Sequence, residues 1–239
     1  MVHVSIRDEL DLLGDRSSVA TQADKKNYAE RFSRLMATKL ANFLRRDFSG
    51  ITPDERGGEQ ESRARTSKGY KKLDVNYSKP EIGLGLGVSV KTLNFRDART
   101  NRYTKNYTRI DNELRAEAHD YHERQPYAVM IAVIFLPFDS CNDGSARDPS
   151  SFGQAVRVFR NRAGREKATD SDFLFERIFI GLYEADGPRR GEVRFFDVEK
   201  APPRTGRPPD DSLLTFLELV ARIKLAYDVR NNPPFEWAD

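Results

Sequence analysis

Tyr28, Phe32, Leu35, Met36, Leu40 and Phe43 recur three or four residues apart, which predicts a long amphipathic helix over residues 24–48, ended by Ser49 and Gly50. The stretch 52–67, TPDERGGEQESRARTS, has neither an aromatic residue nor an apolar alternation, so it is expected to be a mobile loop that orders on binding a ligand. In YKKLDVNYS, Leu73, Val75 and Tyr77 alternate with Lys72, Asp74 and Asn76, the pattern of a half-buried strand. After the turn SKPE comes GLGLGVSVKTLNF, where Leu84, Leu86, Val88 and Val90 take one parity of an extended chain and Gly85, Gly87, Ser89 and Lys91 the other. One face of this second strand is stripped to glycine and ends in a serine and a lysine.

Tyr107, Ile110, Leu114, Ala118 and Tyr121 then trace a helix that reaches about Arg124. The run PYAVMIAVIFLP is almost continuously apolar, as a strand covered by helices on both sides must be. A short helix over 152–161, strands at 178–183 and EVRFFDV, the connection APPRTGRPPDD and a helix over 213–227 complete the pattern. The expectation is an α/β fold in one domain, residues 1–239, with a core at about 24–137. Residues 138–239 then complete the sheet or form an interface.

Composition adds little until charge is read locally. The formal net charge of the 239 residues is only +3, with 32% of them charged. Between Lys91 and Arg109, however, Lys91, Arg96, Arg99, Arg102, Lys105 and Arg109 stand against Asp97 alone, and Arg157, Arg160, Arg162, Arg165 and Lys167 stand against Glu166. Such clusters attract polyanions or are solvated loops. The single cysteine, Cys141, excludes an intrachain disulfide and a multi-cysteine zinc site and suits a reducing compartment. The first fifteen residues lack a basic end followed by an apolar run, and no eighteen consecutive residues are apolar, so a cytoplasmic location off the membrane is expected.

GLGLG is not a phosphate loop, because a strand rather than a helix follows the glycines. Glycines in a strand mark a bulge or a close neighbour, and here they are expected to clear space on the face of Ser89 and Lys91. If the two strands form a hairpin, Asp74 and Lys91 meet on that face. A carboxylate there can ligate Mg²⁺ while an ammonium stabilises an attacking hydroxide or the charge on a phosphorane; a plain cross-strand salt bridge is the alternative. His119 and His122 lie three apart but lack a third ligand pattern, which argues against zinc.

The chain order, helix, loop, strand bearing Asp74 in LDVNYS, turn, strand bearing Lys91 in SVKT, helix, buried strand, resembles the PD-(D/E)xK nuclease superfamily, over about residues 24–137. The resemblance implies a restriction-endonuclease-like mixed β-sheet flanked by helices and a Mg²⁺-dependent DNA endonuclease, of type II restriction, anti-phage defence or repair. Ser89 occupies the place of the family's second acid, and a restriction-enzyme subgroup with the same SxK form takes that carboxylate from the following helix. On that helix Glu113 is the first choice by its nearness to the helix start and Glu117 the second by its nearness to the buried edge, with Asp111 on the other flank. The implied site is therefore Asp74, Ser89, Lys91, Glu113 and Glu117, with Asp74, Glu113 and Glu117 as metal ligands. Arg96, Arg99, Arg102, Lys105 and Arg109 would grip phosphates of double-stranded DNA, and a homodimer, possibly with other defence-system subunits, is implied. The alternative is a catalytically inactive nucleic-acid-binding or adaptor subunit on the same scaffold.

Overall fold

The computed structural model describes residues 4–58, 62–81 and 83–231. Helix α1 (Arg7–Leu13) precedes α2 (Gln22–Leu44), which starts where Thr21 and Asp24 form a reciprocal capping box. The face of α2 carrying Tyr28, Phe32, Met36, Leu40 and Leu44 is buried, as its spacing predicts. Strands β1 (Arg63–Thr66) and β2 (Gly69–Lys72) form a separate antiparallel hairpin. The main sheet holds β3 (Val75–Lys79), β4 (Gly83–Thr92), β5 (Val129–Pro137), β6 (Arg177–Tyr183) and β7 (Val193–Asp197), in that spatial order. It is mixed: β4, β5 and β6 run parallel, while the edge strands β3 and β7 are antiparallel to their neighbours.

β5 is buried along its whole length at the centre, and alternate residues serve two cores. Val129, Ile131, Val133 and Phe135 face α1, α2 and α5 (Phe216–Arg230); Met130, Ala132, Ile134 and Leu136 face α3 (Tyr107–His122) and α4 (Ser151–Phe159). The architecture is thus mixed α/β, a five-stranded mixed sheet flanked by helices on both faces. Among the described residues no helix is long and apolar enough to cross a membrane.

Three expectations need correction. The stretch read as a mobile loop contains β1, which pairs with β2 from Arg63↔Lys72 to Thr66↔Gly69 around a two-residue turn; residues 59–61 of that stretch lie outside the described residues. In β1 the buried positions are Ala64 and Thr66, too small to register as an apolar alternation. Next, YKKLDVNYS is not one strand. It breaks at Leu73–Asp74, so that Leu73 packs in the core under α3 while Val75 and Tyr77 pack in the other.

The third concerns the glycines, which mark a bulge and a close neighbour as glycines in a strand do, but do not clear space on the face of Ser89 and Lys91. β3 pairs with β4 through Tyr77↔Leu86 and then Ser78↔Leu84, leaving Gly85 as the extra residue of a β-bulge. Leu84 therefore faces α3, while Leu86, Val88 and Val90 face the opposite core. Neither glycine opens a groove: a Cβ on Gly87 would meet Met130 Sδ at 2.8 Å and Leu73 Cδ1 at 3.0 Å, and one on Gly85 would meet Tyr77 Cδ1 at 3.2 Å. The glycines admit neighbours.

Candidate active site

β3 begins only at Val75, which lies opposite Val88, so one residue earlier Asp74 stands opposite Ser89 where β4 has lost its partner strand. The side chain of Asp74 takes over the missing ladder: Val90 N–H donates to Asp74 Oδ2 at 2.7 Å. This is a charge-assisted bond to a backbone amide, and it fixes the carboxylate against β4. Beyond Gly87, the residues Ser89 and Lys91 lie opposite Ala132 and Ile134 of β5, on the face covered by α3.

On α3 the buried stripe Tyr107, Ile110, Leu114, Ala118 and Tyr121 sets the rotation of the helix. Glu117 lies at the edge of that stripe, and its Oε1 accepts from Lys91 Nζ at 2.7 Å, with 18% of the lysine and 21% of the glutamate side chain exposed. Burial opposes the charge on Lys91, but the neighbouring carboxylates, Glu117 first and then Asp74 and Glu113, hold its pKa above the ordinary lysine value. Lys91 is a permanent cation at neutral pH. The buried Tyr121 hydroxyl is pushed well above the usual phenol range by burial first and then by Glu117, Asp120 and Asp74.

The other helix acids are elsewhere. Glu113 pairs with Arg109 at 2.7 Å on the exposed flank, and Asp111 accepts from Arg162 Nε and Nη2 at 2.7 and 2.8 Å. The first-choice acid is therefore paired with Arg109, near enough to Lys91 to add to its field, and the second choice is the one in contact with the lysine. Ser89 is only 1% exposed and its Oγ has no hydrogen-bond partner among the described residues; the same holds for Glu117 Oε2. Buried oxygens left unpaired in this way call for a ligand or a water.

Among the described residues no three His, Cys, Asp or Glu side chains gather closely enough to hold a metal ion. The carboxylates at hand are Asp74 and Glu117, both hard oxygen donors, and Glu117 Oε2 is unpartnered. Two carboxylates suffice for Mg²⁺, which usually keeps waters and phosphate oxygens in its remaining positions. His119 bonds Asp172 at 2.8 Å and His122 lies 3.5 Å from Glu176, so both histidines serve other contacts.

The basic segment after β4 is only partly available to a ligand. Arg96 is held by Asp139 and the Asn101 carbonyl, and Arg102 donates to the Pro149 carbonyl. Lys105 pairs with Asp97 at 3.0 Å, while Arg99 is exposed. A cleft of about 350 Å³ nonetheless opens past the carboxyl end of β4, with Lys25 and Lys26 of α2 facing Arg96, Lys105 and Arg109. The two lysines escaped the sequence reading because they belong to the first turns of α2, far away along the chain. No protein-family model, curated protein or solved structure matches the chain.

Proposed function

We propose that the protein is a metal-dependent DNA endonuclease of restriction-endonuclease-like fold in which Glu117 replaces the acid missing at Ser89. The observation that carries the reading is the Lys91–Glu117 contact at 2.7 Å beside an Asp74 clamped to the Val90 amide. Asp74 and Glu117 would hold Mg²⁺, which when bound supplies Lewis acidity and lowers the pKa of water. Lys91, kept protonated by Glu117 first and then by Asp74 and Glu113, orients the nucleophile and stabilises developing negative charge rather than removing a proton. The cationic cleft beyond β4 supports phosphate binding there, since ligands of open α/β sheets collect outside the carboxyl ends of parallel strands. A homodimer matching the two-fold symmetry of duplex DNA is part of the proposal.

A second reading is favoured by one observation. Glu117 spends one oxygen on Lys91, and the acid position itself holds a buried serine. A chain of that kind could keep nucleic-acid binding on an inactive scaffold. Incubation of supercoiled plasmid with the protein in Mg²⁺ and in EDTA separates the two: the nuclease reading requires nicking or linearisation in Mg²⁺ alone, lost in Asp74→Asn. Binding without cleavage in any divalent cation would leave only the scaffold reading.

A further inference from the structure

The β1–β2 hairpin carries five cations and no acid in the sequence RARTSKGYKK, residues 63–72. Its two faces have different tasks. Ala64 and Thr66 are buried on the inner face, where Lys68 and Lys71 pair with Asp120 of α3, a side chain only 3% exposed, and Ser67 N–H donates to the Asp120 carbonyl. Burial first opposes ionisation of Asp120, but the two lysines hold its carboxyl below the usual range. A lone two-stranded hairpin is marginal in water, and these contacts dock it on the helix that also positions Glu117.

The outer face is exposed. The register places Arg63 opposite Lys72 and Arg65 opposite Tyr70, so one face presents three cations and an aromatic ring. Tyr70 is 60% exposed, with Arg65 Nε donating to its hydroxyl at 2.8 Å and the guanidinium 5.5 Å from the ring centre. Beside this face lies a recess of about 500 Å³ where Arg63, Arg65 and Tyr70 meet Lys79 of β3 and Arg124 beyond α3, with Glu81 the one acid in its lining among the described residues. Surface charges of both signs are ordinarily interspersed; here one sign is collected on a ribbon.

We infer that this ribbon is a second phosphate-binding element that lies along duplex DNA at a distance from the scissile bond. The inference rests on the nuclease reading of Asp74, Lys91 and Glu117. A two-stranded antiparallel ribbon fits the major groove of B-DNA, and the arginines at its edge reach the flanking phosphates. From Glu117 to Arg124 α3 advances roughly 10 Å at about 1.5 Å per residue, while Lys91 to Leu84 along β4 is roughly 23 Å at about 3.3 Å per residue. The recess and the site are thus several base pairs apart. The first basic cleft lies past the opposite end of β4, so the site sits between two cationic stretches, the arrangement suited to a long polyanion rather than to a nucleotide.

The test is binding of a 20-base-pair duplex to the full chain in EDTA, followed by fluorescence anisotropy across a salt series, for wild type, Arg63→Gln/Arg65→Gln and Tyr70→Ala. The control is Arg46→Gln/Arg147→Gln, which removes the same charge from two exposed positions outside the basic clusters, and thermal melts verify that each variant folds. The double arginine variant should bind about ten-fold or more weakly, with the salt slope reduced by about 1.8, roughly 0.9 for each lost phosphate contact; the control should stay within two-fold of wild type. Unchanged affinity and slope in both ribbon variants, with wild-type binding and Mg²⁺-dependent cleavage intact, overturns the ribbon and leaves the nuclease reading standing. An equal loss in the control also overturns it, as does a clear preference for a single-stranded 20-mer that depends on Tyr70. Absence of wild-type binding to any DNA overturns the ribbon and the nuclease reading together.

Discussion

Glu117→Gln is the sharpest probe of the site because it keeps the shape of the side chain and removes only its charge. The carboxylate lies 2.7 Å from Lys91 Nζ with about one fifth of each side chain exposed. Unit charges about 4 Å apart attract by roughly 4 kcal/mol at an effective dielectric of 20. Desolvation of the pair and the solvent reaching it oppose that attraction, leaving a net loss of about 1–2 kcal/mol on substitution. The sign with pH follows from Lys91, whose pKa is raised in the fold. Its contribution is fully present below the unfolded-state lysine pKa of about 10.4 and is lost as pH rises through the higher folded value. Urea unfolding of wild type and Glu117→Gln should therefore differ by a constant amount from pH 7 to 9, and the gap should close above about pH 10.5. A double-mutant cycle with Lys91→Met should return a coupling of about 1 kcal/mol, and Mg²⁺-dependent cleavage should fall by at least about 100-fold, as expected for a metal-ligating carboxylate. Glu113→Gln, whose pair with Arg109 is exposed, should stay within about 0.5 kcal/mol of wild type and keep its cleavage. A coupling near zero, or full cleavage by Glu117→Gln, would refute the displaced-carboxylate argument.

Ser89→Asp places a second carboxylate in a buried position facing Asp74; it should lower stability by about 2–4 kcal/mol in EDTA, and Mg²⁺ should restore more of the melting temperature than it adds to wild type. Glu176→Gln should cost about 3–5 kcal/mol by chemical denaturation, because Glu176 is the common partner of Arg165, Arg230 and the Met130 amide, all but inaccessible to solvent. Burial raises the pKa of that glutamate, yet His122, Met130 and Arg230 hold it below the usual range; the wild-type advantage should be full above about pH 5 and shrink as pH falls through the folded value. Gly87→Ala should lose about 1–2 kcal/mol in the same assay, since the new methyl must displace the flexible ends of Met130 and Leu73.

What the sequence made legible is what its periodicities control. The buried face of α2, the stripe of α3 and the doubly covered β5 all follow from apolar spacing alone. The same helical wheel that set Glu117 nearer the buried edge than Glu113 pointed to the acid found beside Lys91, whereas nearness to the helix start pointed to the one paired with Arg109. Rotation about the helix axis, governed by packing, decided the contact. The break at Leu73–Asp74 escaped notice because it leaves the alternation of residue types intact, whereas the glycines of β4 did mark a bulge and a close neighbour, at Gly85 and Gly87. The hairpin escaped because its two inward side chains are small and its anchor, Asp120, is distant in sequence.

The bulge at Gly85 has a consequence for how this chain tolerates change. Strand faces repeat every two residues, so a slip by one inverts every side chain beyond it. By taking up Gly85 opposite the Tyr77–Ser78 step, the bulge makes β4 two segments of opposite phase joined end to end: one held through Leu84 N–H, which donates to Gln125, the other carrying Ser89 and Lys91 under α3. The orientation of Lys91 is set by its pairing with β5 and not by the length of the turn that leads into it. Lengthening or shortening the turn after Lys79 by a residue can be absorbed at this joint, leaving the lysine pointed at its glutamate.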